Sequence, residues 1–133
     1  MFMVRSALEG LAATTLAQLP EREAAVDALQ AALDALAAAS GSINQMTEID
    51  LEFHRTLCKL TGNSTLLHSW EGIAGSIRMS IMYAGAERAL TNMAASRHQI
   101  IVDVIAAGQH DRARQVVTEH MQQAVANLVR QAV

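Results

Sequence analysis

MTEIDLEFHRTLCKLTGN, Met46 to Asn63, reads as one helix closed by Gly62. It carries Asp50 and His54 four residues apart, and residues at i and i+4 share a helical face. A carboxylate and an imidazole can therefore converge on one point from this helix alone. D-x-x-x-H is a common spacing, so the weight of this pair depends on what the rest of the chain brings to it.

Two more histidines lie far downstream. Gly108-Gln109-His110 is a short turn between two apolar-periodic segments, which predicts an antiparallel helical hairpin. His98 precedes Gly108 by ten residues and His120 follows His110 by ten. At about 1.5 Å of rise per residue, both stand roughly 15 Å from the turn and level with each other. Ile101, Val102 and Ile105 share the face of His98, and Ala113, Val116, Val117 and Ala124 that of His120, so both imidazoles point into an apolar seam.

The remaining segments are also helical in pattern. Val4 to about Leu19 carries Leu8, Leu11, Ala12, Thr15 and Leu19 at helical spacing. Pro20 is placed to start the next element. The second helix, Glu21 to Ala39, has a stripe of Val26, Leu29, Leu33 and Leu36, and Gly41 is a candidate left-handed cap. The third runs from about Ile43 to Thr61. Asn63 or Ser64 can cap the fourth, Thr65 to Tyr83, with Leu66, Leu67, Trp70, Ile73, Ala74, Ile77 and Ile81 as its apolar set. Gly72 and Gly75 within it signal close packing or a kink. A fifth helix spans Glu87 to Ala107, and Asp111 opens a sixth that continues to near the C-terminus. No segment alternates with period two between turn residues, so the expected fold is all-α, an antiparallel bundle of six helices in a single domain over residues 1–133.

Composition agrees. The 133 residues are 51% hydrophobic and only 3% aromatic, with one proline, a mixture rich in strong helix formers. Ten Lys and Arg against thirteen Asp and Glu give a net charge of −3, which argues against direct nucleic-acid binding by this chain. The single cysteine, Cys58, excludes an internal disulfide and reads as a small core residue. There is no apolar run long enough to span a membrane and no signal-peptide pattern at the N-terminus. A cytoplasmic domain is the expectation.

Taken singly, each histidine is a core residue with one hydrogen bond satisfied, and Asp50 is a solvated acid beside Glu48 and Glu52. Taken together they differ, because three helices in so short a domain must pack against one another. A buried carboxylate without a partner costs several kcal/mol or more, and three imidazoles with one carboxylate around a divalent cation remove that cost. Such a set suits zinc, nickel or a similar metal and leaves coordination positions open. His110, in the turn, and His68, in the first turns of the fourth helix, are expected to lie outside the site.

The run D-L-E-F-H-R-T-L-x-x-x-T-G-N, Asp50 to Asn63, resembles the signature of the FCD domain, the C-terminal effector domain of FadR-type GntR transcription regulators. R-H-Q-I-I-V-D-V-I-A-A-G-Q-H-D-R-A-R-Q-V-V-T-E-H-M, Arg97 to Met121, is similar to that family's second motif, and R-S-A-L-E-G-L-A-A, Arg5 to Ala13, to its first helix. The resemblance implies an antiparallel bundle of six helices in the VanR-like form or seven in the FadR-like one. It implies a metal held by Asp50, His54, His98 and His120, and a carboxylate effector completing the coordination sphere with help from an arginine. Arg78, on a partly apolar stripe of the fourth helix, is the first candidate for that arginine, and a surface arginine near Glu71 is the equal alternative. Arg5 is the second candidate. Family regulators also carry a winged helix that reads DNA, for which this chain has no room, so that domain is expected to be absent here.

Three functions remain open at this point. One is a metal-assisted sensor of a small organic acid that acts through a DNA-binding domain. Another is a metalloenzyme, for which Glu52 and Glu119 are the nearby acids but should point about 100° away from the ligands. The third is a helical dimerisation domain without a ligand. A homodimer is expected for the first two, because Met79, Met82 and Met93 add apolar surface beyond what one small bundle hides.

Overall fold

The computed structural model describes residues 1–129. Among these, seven α-helices and no strands are found: α1 (Phe2–Ala17), α2 (Glu23–Ala37), α3 (Ile43–Lys59), α4 (Ser64–Ala84), α5 (Ala86–Asn92), α6 (Ala95–Ala106) and α7 (His110–Val129). The all-α reading holds. The part of the last helix expected beyond Val129 lies outside the described residues.

The seventh helix comes from a break within the segment expected to be one helix, Glu87 to Ala107. Its backbone leaves the helical region at Ala94 (φ −55°, ψ 130°), which separates α5 from α6. Neither glycine nor proline marks the break. Met93 is buried there, so tertiary packing overrides a local preference for helix.

Helix ends elsewhere follow their chemistry. Ser42 accepts from Gln45 N–H while the Gln45 side chain accepts from Ser42 N–H, a reciprocal capping box that starts α3. Asn63 Oδ1 accepts from Leu66 N–H and starts α4. Gly62, with φ of 72°, turns the chain between them at a backbone angle other residues resist. Gly41 does not take the left-handed conformation, because the capping box at Ser42 organises that junction instead. Pro20 lies in the connection before α2 rather than in its first turn.

One apolar core links the helices, with Leu16, Leu29, Leu33, Phe53, Leu57, Trp70, Ile77, Ile101, Ile105 and Val117 among its buried members. Of the stripe expected on α1, Ala12 is buried and Leu8 and Leu19 pack against the core, but Leu11 is 48% exposed, and Arg5, Glu9, Ala13 and Leu16 are buried beyond the expected set. Gly72 and Gly75 face open space, so they mark no close helix contact. Met93 is core, while Met79, Met82 and Tyr83 are exposed on the last turns of α4. No described helix is long and apolar enough to cross a membrane.

Candidate metal centre

Four helices meet at the middle of the bundle, and each brings polar side chains into it. α3 contributes Asp50 and His54, α6 His98, α7 His120, and α1 Arg5 and Glu9, all of them buried. The hairpin geometry expected from the turn is present: the His98 and His120 rings have centroids 4.8 Å apart. His54 lies 5.1 Å from His98 and 5.5 Å from His120 by the same measure. Each histidine offers a ring nitrogen such that all three lie within 4.8 Å of one another. Phe53, beside His54 in sequence, sets its ring edge-on to both His54 and His98, and its burial holds their planes in place.

The hydrogen bonds determine which nitrogens face inward. His98 Nδ1 lies 3.0 Å from the Ala94 carbonyl, which can only accept, so that nitrogen carries a proton and, in the neutral ring, leaves the lone pair on Nε2. His54 Nδ1 contacts a Glu9 carboxylate oxygen, again an acceptor, and Nε2 faces the cluster. The two Nε2 atoms are 3.1 Å apart. Asp50 Oδ1 lies 2.8 Å from His98 Nε2 and 3.6 Å from His54 Nε2. It is buried and makes no well-formed hydrogen bond, and when both rings are neutral with their protons on Nδ1 neither Nε2 can donate to it.

With both rings neutral, three acceptors point at one another across 2.8–3.6 Å. Around a tetrahedral zinc with Zn–N of about 2.0–2.1 Å, neighbouring donors stand about 3.3 Å apart, inside that range. A proton on one imidazole can bridge only one of these contacts, whereas a cation among them satisfies all. The residues present fit a divalent metal.

The buried ionisable groups also shift one another. Burial pushes the Asp50 carboxyl upward, but His54 and His98 outweigh it and hold the group well below the usual carboxylate range. Glu9 behaves alike: burial raises it, Arg5 and His54 more than compensate, and it stays ionised. Burial opposes the charged form of His54, yet the Glu9 and Asp50 charges raise its pKa above 6.5. His120 is pushed down to about 3 by burial and by the other two histidines, so it is neutral and able to ligate.

Beside the cluster lies a cavity of about 20 Å³ bordered by Arg5, Asp50, His54, Asn92, Met93 and His120, among others. That is room for one water-sized group. The two arginine candidates separate clearly. Arg5 is 4% exposed and borders the cavity. Arg78 does not border it; its guanidinium pairs with Glu48 on the surface, with 42% of its side chain exposed. Of the stripe that suggested Arg78, Trp70 and Ala74 are buried but Met82 is exposed, and Arg78 itself turns to the surface, where its partner is Glu48 rather than Glu71. His68 and His110 are exposed, as expected. Glu52 and Glu119 are exposed as well, turned away from the cluster.

Sequence reasoning missed Glu9. It is 0% exposed and accepts from Arg5 Nε at 2.6 Å and Trp70 Nε1 at 3.1 Å, besides its contact with His54. The usable signal was R-x-x-x-E at i and i+4 on a helix otherwise lined with small residues.

Comparison with known proteins places this chain in a family. The FCD domain model matches residues 1–123. A relative from Paenarthrobacter nicotinovorans, named "Probable D-xylose utilization operon transcriptional repressor", is 27% identical over 120 residues. The match covers 89% of this chain and 52% of the relative, so the chain spans about half the length of the curated relative it matches.

Proposed function

The chain belongs to the FCD domain family, and from that premise we propose that it is the effector-sensing domain of a GntR-type transcription regulator, built on a divalent metal held by Asp50, His54, His98 and His120. The observation that carries this reading is the convergence of buried ligand atoms: two Nε2 atoms and a carboxylate oxygen within 2.8–3.6 Å of one another, the oxygen without a well-formed hydrogen bond. Zinc or nickel suits three imidazoles and one carboxylate.

Charge favours an organic acid as the effector. With the histidines neutral, Arg5 offsets one of the two buried carboxylates, Glu9 and Asp50, and leaves the other uncompensated. A divalent cation converts that deficit into one excess positive charge, the complement of a carboxylate. Arg5 is the arginine positioned to assist, since it borders the cavity at the metal cluster. The cavity holds only a water-sized group, so an effector must widen it, and that displacement is the means by which occupancy reaches the outside of the bundle.

Metal-dependent hydrolysis is the weaker reading, because the neighbouring acids Glu52 and Glu119 face solvent and offer no base at the cluster. DNA readout is assigned to another domain: the chain covers about half of its relative and has a net charge of −3. Exposed Met79, Met82 and Tyr83 support a homodimer.

The test is calorimetric titration of the zinc-loaded and chelator-treated domain with a panel of aliphatic mono-, di- and tricarboxylates. Binding of at least one acid to the loaded protein only, and its loss in Arg5→Met, is the expected result. Acid binding indifferent to both zinc and Arg5 would overturn the sensor reading.

A further inference from the structure

We infer that Glu9 is the positioning residue of the metal centre, fixing the tautomer and direction of His54 so that Nε2 is delivered to the metal. The inference rests on the metal reading above and adds a residue from a helix that supplies no ligand.

The case begins with where Glu9 sits. A carboxylate with no exposure at all is costly to bury, and it persists only when its oxygens are fully engaged. Here they are. Oε2 accepts from Arg5 Nε at 2.6 Å and from Trp70 Nε1 at 3.1 Å, while Oε1 faces His54 Nδ1. Arg5 is one turn away on α1, and Trp70 comes from α4 with 1% exposure. The two donors on Oε2 hold the carboxyl so that Oε1 is directed at a single ring nitrogen.

His54 needs that direction more than its neighbours do. The Nδ1 proton of His98 is held by a carbonyl of its own helix, Ala94, one turn back. His54 has no such backbone partner; its Nδ1 contact is Glu9, 45 residues away in sequence. Without an acceptor at Nδ1, the neutral ring would place its proton on Nε2, where Asp50 Oδ1 and the His98 lone pair both attract it. That tautomer cannot ligate. A carboxylate on the outer nitrogen also makes the inner one a stronger donor to a metal. The placement on α1 further joins the metal centre to Arg5, the residue assigned to the effector carboxylate, through one shared carboxyl group.

Two readouts test this. In the first, metal-stripped parent and Glu9→Gln are titrated with zinc in competition with a chromogenic chelator. An affinity about 10–100-fold weaker in Glu9→Gln is expected, the usual cost of losing a residue that orients a ligand. In the second, two-bond 1H–15N spectra of the metal-free proteins at alkaline pH report the His54 tautomer: Nδ1–H in the parent, Nε2–H where Glu9 is replaced by an apolar residue. Should Glu9→Gln fail to fold with Arg5 left unpaired, the Arg5→Met/Glu9→Leu pair removes both charges together and is read in the same two ways. Zinc bound equally by parent and folded variant, with the His54 tautomer unchanged, overturns the positioning role and leaves the metal reading intact. A parent that binds no zinc removes the metal reading, and the tautomer spectra then decide the role of Glu9 alone.

Discussion

At the scale of single residues, the centre combines groups that would each be unstable in isolation. Asp50 and Glu9 are buried carboxylates kept ionised by histidine and arginine, and His120 is a buried imidazole kept neutral. The metal-free domain should therefore depend on pH in a definite way. His120 falls from an ordinary 6.5 to about 3, so the unfolded chain binds a proton there that the folded one refuses. Stability must fall as pH drops from about 6.5 towards 3, by about 1.4 kcal/mol per pH unit for each proton taken up only on unfolding. The depressed carboxylates act in the same direction at lower pH: their contribution is present above their unfolded pKa and lost as pH falls through the folded one. His54 acts oppositely, because its raised pKa contributes stability that is lost as pH climbs through it. Urea denaturation of chelator-treated protein across pH 4 to 8 checks the acid limb, and a flat profile there would contradict it. Zinc binding should release protons, since His54 must give one up, and calorimetry in buffers of different ionisation enthalpy would measure this.

At the scale of elements, α3 is the organising helix, with its start and its middle doing separate work. Ser42→Ala removes the capping box and should cost about 1 kcal/mol, or about 4 °C in Tm, while leaving zinc affinity unchanged. Phe53→Ala should cost about 3–5 kcal/mol and also weaken zinc binding, because Phe53 packs edge-on against both His54 and His98. Equal zinc affinity in the two variants would show that Phe53 does not hold the ligands. Much of this level was legible from the chain. Spacing put Asp50 and His54 on one face, and the turn at Gly108 put His98 level with His120. What could not be read was packing that opposes local pattern. α1 buries a charged pair, so hydrophobic periodicity selected the exposed Leu11 and passed over Glu9. The α5–α6 break falls in Met93-Ala94-Ala95, where nothing in the residues forbids a helix. Arg78 follows Trp70 and Ala74 on one stripe of α4, yet those two are buried while Arg78 turns to the surface, where Glu48 meets it.

For the whole molecule, the four candidate ligands lie on α3, α6 and α7, with Glu9 on α1, so a metal held there would cross-brace the bundle. Anything bound to the folded state alone stabilises it by mass action, about 2.7 kcal/mol at a hundred times Kd, or roughly 10 °C for a chain of this size. Scanning calorimetry with and without excess zinc should show that rise, and identical transitions would favour a purely structural helical domain. The most direct test of the central claim is a zinc titration of the metal-stripped parent beside Asp50→Ala and His98→Ala. One zinc per chain is expected in the parent, and in both variants a loss of affinity exceeding the roughly 10–100-fold cost of removing a supporting residue. Unchanged stoichiometry and affinity in both variants, or no binding by the parent, would contradict it.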